Sequence, residues 1–305
     1  MLLRSGLLWP ALWALVAPCR AEEWRPVVLM HGLLANASKL DTLKTRIAAD
    51  FPGIYVRSVE ITTKVTSLTT NMNVQVERFA AAVRADPRLA RGFNLVGHSQ
   101  GGLITRGYVE RFNDPPVHNL ISLAGPQAGQ YGAPELNALC PDHACPWLDE
   151  LMRRLLDEGA TAALQEAFSF ASYWRDPKNI SNYLATNIFL ADLNNERAAK
   201  NATYRANMLS LNAYGLLFST GDDICVPREA PWFAFYADGS DQRPLVPMEQ
   251  STAYEGDWIG LRTLAESGRL VRWQVDCPHG EIPQASCLNQ SYVPNMQRLL
   301  NNTLP

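Results

Sequence analysis

Phe93-Asn94-Leu95-Val96-Gly97-His98-Ser99-Gln100-Gly101-Gly102 decides how this chain is read. Phe93 to Val96 is a short apolar run that stops at a glycine, the pattern of a buried strand. Gly97-His98-Ser99-Gln100-Gly101 then matches G-x-S-x-G. In that pattern a serine sits on a strained strand-to-helix turn with its hydroxyl above the sheet. Small residues two before and two after the serine let strand and helix approach without a Cβ clash. The next helix, expected from Leu103 to Phe112, aims the positive end of its dipole at the turn. Ser99 is therefore the candidate nucleophile.

The segments on either side repeat an alternation of strand and helix. Arg25 to Met30 is a buried strand running into His31-Gly32, and Gly53 to Val59 reads as the next. Val76, Phe79, Ala80 and Val83 recur at helical spacing, in a helix closed near Asp86-Pro87. Leu120 to Ala124 is a further strand. This order means an α/β fold, a mostly parallel sheet with helices on both faces. From about residue 133 to 212 no strand of comparable clarity occurs. Leu151, Leu155 and Leu156, then Ala163, Leu164, Phe168 and Phe170, have helical apolar spacing. Strand signals resume at Tyr214–Phe218 and Leu270–Val275, residues 237–247 read as a loop, and helical character returns near Val293–Leu300. One domain is expected over residues 22–305, with a helical insertion at 133–212 ahead of a later strand.

A serine nucleophile needs a base, and the base an orienting carboxylate. Downstream of G-x-S-x-G the expected order is acid, then histidine. Ser219-Thr220-Gly221-Asp222-Asp223 follows the strand at 214–218 and offers two acids, Asp222 and Asp223. Asp276-Cys277-Pro278-His279 follows the last strand, and of the five histidines only His279 lies beyond both acids. Two backbone N–H groups are needed for an oxyanion. The residue after the nucleophile supplies one, Gln100. The loop after the first strand supplies the other, read as Leu33. His31 and His98 read as structural, His31 bracing that loop.

Residues 1–21 carry Arg4, a short apolar centre and the small residues Cys19 and Ala21. They read as a secretory signal peptide, too short for a membrane span. Five cysteines then remain. In an oxidising compartment Cys140 with Cys145 and Cys277 with Cys287 are the economical disulfides, which leaves Cys225 odd and buried in a strand-end turn. No cysteine pair recurs with a histidine pair at ligand spacing, so no metal is expected. No organic cofactor is expected either. Sequons at Asn36, Asn179, Asn201, Asn289 and Asn301 fit a glycosylated luminal protein. A composition of 47% hydrophobic and 19% charged residues excludes a disordered chain. The formal charge of −3 supplies no basic footprint for nucleic acid.

Taken together, these residues resemble the lysosomal palmitoyl-protein thioesterases. Pro52-Gly53-Ile54-Tyr55-Val56, Ser99-Gln100-Gly101-Gly102, Asn119-Leu120-Ile121-Ser122 and Tyr173-Trp174-Arg175-Asp176-Pro177 are similar to segments of that family. The stretches Phe189 to Arg197 and Trp232 to Tyr236 are more specific, since general lipases lack them. The resemblance implies an α/β-hydrolase fold whose helical insertion helps form a fatty-acyl groove. Leu164, Phe168, Phe170 and Tyr173 are either lining or packing residues there. It also implies hydrolysis of long-chain acyl thioesters on cysteines of proteins or peptides, with acyl-CoA as a further substrate. The implied location is the lysosome, or outside the cell.

Residue by residue, the nucleophile falls on Ser99, the base on His279, the acid on Asp222 and the oxyanion donors on Leu33 and Gln100. General hydrolase spacing favours Asp223 as acid instead. Cys140–Cys145 resembles a disulfide of the family's insertion, and Cys277–Cys287 resembles the family's second branch. His98 departs from the better-known members, which carry an aromatic residue there. A carboxylester hydrolase or lipase with the same triad is the competing expectation.

Overall fold

The structure, a computed structural model, describes residues 24–132, 146–240 and 244–301. Six strands form one sheet: β1 (Val27–Met30), β2 (Val56–Val59), β3 (Phe93–His98), β4 (Val117–Leu123), β5 (Ala213–Ser219) and β8 (Leu270–Val275). Their order is β2-β1-β3-β4-β5-β8, with every neighbouring pair parallel. This is the α/β-hydrolase arrangement expected from the alternation of elements. The expected loop at 237–247 is partly wrong. Leu245 and Val246 form β7 (Leu245–Val246), which pairs antiparallel with β6 (Phe235–Tyr236). A two-residue strand is too short to show a period-2 pattern.

Thirteen α-helices occur among the described residues. Before β4 lie α1 (Asp41–Asp50), α2 (Val65–Thr69), α3 (Met72–Arg84) and α4 (Gln100–Arg111). Between β4 and β5 lie α5 (Pro146–Glu158), α6 (Ala162–Ala167), α7 (Ile180–Thr186), α8 (Leu190–Leu193) and α9 (Ala202–Leu209). After β5 lie α10 (Thr252–Glu255), α11 (Leu261–Glu266), α12 (Leu288–Ser291) and α13 (Met296–Leu300). The helix α4 starts at Gln100 rather than Leu103, because the turn at Ser99 is itself the N-cap. The strand β2 starts at Val56, not Gly53. Gly53 adopts φ +86, outside strand geometry.

All four side chains of β1 are buried, so both faces of the sheet need cover. Val28, Met30, Leu95 and Leu120 pack with Val76, Phe79 and Leu103 on one side. Val27, Leu29, Val96 and Ile121 pack with Leu43, Ile47 and Met296 on the other. Full burial is worth about 1.5–3 kcal/mol for a residue such as Phe79 or Val76. The α3 stripe of Val76, Phe79, Ala80 and Val83 is wholly buried, as its helical spacing predicts.

The topology fixes where a ligand meets the chain. β1 lies between β2 and β3, so the chain turns one way from β1 and returns on its other side. In open parallel sheets such a switch point opens a crevice at the carboxyl ends of the strands. Leu33, Ser99, Asp222 and His279 all follow the carboxyl ends of their strands, β1, β3, β5 and β8. A disulfide joins Cys277 to Cys287 and closes the loop that carries His279. A closed loop of ten residues removes about 2.7 kcal/mol of unfolded-chain entropy in the loop-closure treatment. Cys225 is buried, as expected, and forms no disulfide among the described residues. The expected Cys140–Cys145 pair and the signal peptide at 1–21 lie outside the described residues.

Candidate active site

Ser99 sits at φ 57, ψ −131 as N-cap of α4. A non-glycine residue there carries strain of roughly 1–3 kcal/mol, held in place by its surroundings. Those surroundings are backbone packed on backbone. A Cβ at Gly97 would lie 2.4 Å from the Gly101 carbonyl oxygen, and one at Gly101 would lie 2.4 Å from that of Met30. The glycines of G-x-S-x-G are therefore required by contact distance. Ser99 N–H donates to Leu123 O at 2.9 Å, which ties the turn to β4.

His279 is buried, and its Nδ1–H donates to Asp222 Oδ2 at 2.8 Å. The other Asp222 oxygen accepts the backbone N–H groups of Ile224 and Cys225, each at 2.8 Å. Burial alone raises the Asp222 pKa. The His279 charge and hydrogen bond, with the two backbone donors, outweigh burial and hold it below the usual carboxylate value. Asp223 is exposed and takes a different partner, accepting the His279 backbone N–H at 3.1 Å. Of the two candidate acids, only Asp222 meets the imidazole.

The second ring nitrogen, His279 Nε2, is buried and has no hydrogen-bond partner among the described residues. His279 and Ser99 line one cavity of about 560 Å³. Leu33, Leu34 and Ile224 give that cavity apolar wall, while Lys39 and Lys64 stand at its polar side. His98 packs against His279 with ring centroids 5.1 Å apart, and its Nε2–H donates to the His279 carbonyl at 3.1 Å. Burial, then the neighbouring His279, pushes the His98 pKa down to about 3. It props the His279 segment, the structural role its sequence reading gives it.

The loop after β1 is braced as expected. His31 presents Nδ1 to Gly32 O at 2.9 Å and Nε2 to Thr62 O at 3.0 Å. Leu34 adopts φ 56, and its N–H donates to Ser67 Oγ at 2.7 Å. Gln100 opens α4, and its side chain is locked by four contacts. Its Nε2 donates to Ser67 O at 3.0 Å and to Gln75 Oε1 at 3.3 Å. Its Oε1 accepts from Ser169 Oγ at 2.8 Å and from Tyr173 OH at 3.1 Å.

Sequence reasoning missed this lock. Gln75 and Ser169 are polar residues beside or within stretches read only for their apolar spacing, and Ser67 lies in a segment given no reading. Their sole local signal is a polar side chain on an otherwise buried face. Leu164, Phe170 and Tyr173 are buried, Phe168 is partly so, and none of the four lines the Ser99 cavity. They pack the helical stretch onto the core. The five sequon asparagines are accessible. Asn179, Asn201, Asn289 and Asn301 are exposed, and Asn36 is half-buried at the cavity's rim.

Residues 26–279 match the family model described as Palmitoyl protein thioesterase. The chain is 46% identical over 260 residues to Palmitoyl-protein thioesterase 3 of Dictyostelium discoideum, covering 85% of this chain and 86% of that one. It is 34% identical over 281 residues to Palmitoyl-protein thioesterase 1 of Caenorhabditis elegans, covering 88% and 91%. It is 32% identical over 265 residues to the human Lysosomal thioesterase PPT2, covering 86% and 82%.

Proposed function

The chain belongs to the palmitoyl protein thioesterase family, and from that premise we propose that it hydrolyses long-chain acyl thioesters of protein or peptide cysteines. Acyl-CoA carries the same thioester and is a further substrate. One observation carries the reading. His279 holds Asp222 on one ring nitrogen and keeps the other unpartnered, in the cavity that contains Ser99.

Ser99 Oγ attacks the thioester carbonyl as His279 Nε2 takes the hydroxyl proton. Asp222 keeps the ring proton on Nδ1, so the lone pair is on Nε2, on the ring that shares a cavity with Ser99. It also stabilises the imidazolium that forms. The developing oxyanion is held by the N–H groups of Leu33 and Gln100, each such donor worth about 2.7–4 kcal/mol. The leaving thiol has a pKa near ~8.5, so it departs with little help from the acid. Water, deprotonated by His279, then cleaves the acyl-serine and regenerates Ser99.

Leu33, Leu34 and Ile224 receive the first part of the acyl chain. Ser169 and Tyr173, from the mainly helical part of the chain after residue 146, bond the Gln100 side chain on this side of the site. We place the protein in the lysosome, reached through the secretory pathway. The names of its PPT2 relatives and the accessible sequons support that location. No helix among the described residues is long and apolar enough to cross a membrane.

The test compares matched palmitoyl thioester and palmitoyl oxyester substrates on wild type and Ser99→Ala. Thioester turnover is expected to exceed oxyester turnover and to vanish in Ser99→Ala. Equal or greater oxyester turnover moves the protein to the carboxylester hydrolases. Full thioester activity in Ser99→Ala removes the nucleophile assignment.

A further inference from the structure

Acyl transfer as described leaves the Cys225 thiol without a task, although it lies against the acid–base pair. Its Sγ is 3.9 Å from His279 Nδ1 and 3.5 Å from the Ala124 carbonyl oxygen. The residue is held there by its own N–H, which donates to Asp222 Oδ1. Asp222, Cys225 and His279 thus bring an oxygen, a sulfur and a nitrogen ligand atom within 4.8 Å of one another, all three residues buried. A second cavity, of about 710 Å³, has Asp222 and Cys225 in its wall but neither Ser99 nor His279, and meets the Ser99 cavity only at Asp223. Asp222, Asp223, Cys225 and Glu229 line it, with Arg228 as the opposing charge. A cation therefore has an acidic approach that does not pass through the Ser99 cavity.

We propose that Asp222, Cys225 and His279 form an inhibitory site for a thiophilic divalent cation of the zinc or cadmium class, entered from this second cavity. Two of the three ligand separations nearly fit. Tetrahedral zinc with typical bond lengths needs about 3.3–3.4 Å between nitrogen and oxygen ligands and about 3.5–3.6 Å between nitrogen and sulfur. The present separations are 2.8 Å from His279 Nδ1 to Asp222 Oδ2 and 3.9 Å from Nδ1 to Cys225 Sγ. Shifts of about half an ångström close both gaps. The second cavity leaves room for water as the fourth ligand.

The chemistry makes the ion an inhibitor. The metal takes the Nδ1 lone pair, and Cys225 gives up its thiol proton to solvent as it becomes a thiolate. The imidazole's one proton then resides on Nε2, the atom that must accept the Ser99 proton. The bound site is neutral overall: one dication, one carboxylate and one thiolate. Hard ions such as Mg²⁺ and Ca²⁺ do not choose sulfur and nitrogen donors, so selectivity follows from the ligand set. The inhibitory consequence rests on His279 acting as the base, but the binding does not.

The experiment has two readouts on the whole chain. Cobalt(II) added to Ser99→Ala, which keeps all three ligands, is expected to give a thiolate-to-metal charge-transfer band. That band is absent from Cys225→Ala. Separately, Zn²⁺ is expected to slow fluorophosphonate labelling of wild-type Ser99 by about 10²-fold, the scale of a lost general base, with recovery on chelation. Each variant is normalised to its own metal-free rate. No thiolate band in Ser99→Ala overturns the site, as does equal Zn²⁺ slowing of Cys225→Ala. A thiolate band without slowed labelling overturns the inhibitory role and counts against His279 as the base. A wild type that labels with nothing at all sinks the proposed hydrolysis while the cobalt band still judges the site.

Discussion

Gly32→Ala tests whether the loop after β1 supplies part of the catalytic geometry. A Cβ at Gly32 would lie 2.6 Å from Ser99 Cβ, 3.1 Å from Ser99 Oγ and 3.1 Å from the His98 carbonyl oxygen. Carbon atoms in contact prefer about 3.5–4.0 Å, so roughly 1 Å must be made up. Ser99 cannot yield easily, since its N–H bonds Leu123 O at 2.9 Å and its carbonyl accepts Gly102 N–H at 2.8 Å. The loop yields instead and takes the Leu33 N–H with it. A 1 Å misplacement costs about 10²-fold in rate, or about 2.7 kcal/mol. That is close to the value of one oxyanion donor. The assay is kcat and KM on a palmitoyl thioester, with thermal unfolding to check the fold. The expected result is a fall in kcat with KM little changed. Gly280→Ala is the contrast, since its Cβ would meet nothing nearer than Lys39 Nζ at 3.8 Å. A Gly32→Ala enzyme with kcat within about threefold of wild type would refute the reasoning.

The two acids separate by substitution. Asp222→Asn is expected to lower kcat by about 10³–10⁴-fold, because an amide at the ring permits the wrong tautomer. Asp223→Asn disturbs only one exposed acceptor, worth about 0.5–1.5 kcal/mol, and a larger loss there than in Asp222→Asn reverses the assignment. A third prediction concerns pH and stability. Glu110 and Arg106 are both fully buried 3.5 Å apart, and burial, only partly offset by the Arg106 charge, raises the Glu110 pKa to about 8. The folded state therefore holds this proton more tightly than the unfolded chain does. Its contribution is complete below pH ~4.5 and is lost as pH rises toward 8, a swing on the order of a few kcal/mol. Urea unfolding across that range should show wild-type stability falling with pH and Glu110→Gln flattening the slope. An unchanged slope removes the assignment.

The division between what the sequence makes legible and what it hides follows from the range of each interaction. Ser99 was readable because Gly97, Gly101 and Gly102 answer a contact-distance problem solved within six residues, and that solution leaves a local signature. His279 was readable through chain order and scarcity, as the only histidine beyond both acids. Asp222 and Asp223 stayed open because the choice depends on which carboxylate reaches a ring 57 residues away. Local spacing carries no information about that distance. The lock on Gln100 is harder still, since Ser67, Gln75, Ser169 and Tyr173 arrive from three separate segments. Yet it bears most directly on function. A buried glutamine whose oxygen and nitrogen each have two partners has one orientation only. The start of α4, and with it the Gln100 N–H, is thereby fixed before any substrate arrives. Preorganised donors act without reorganising at the moment of reaction. Loosening the lock from a distance, by Tyr173→Phe or Ser169→Ala, is therefore expected to lower kcat on a palmitoyl thioester through the proposed Gln100 donor, although neither side chain lines the Ser99 cavity.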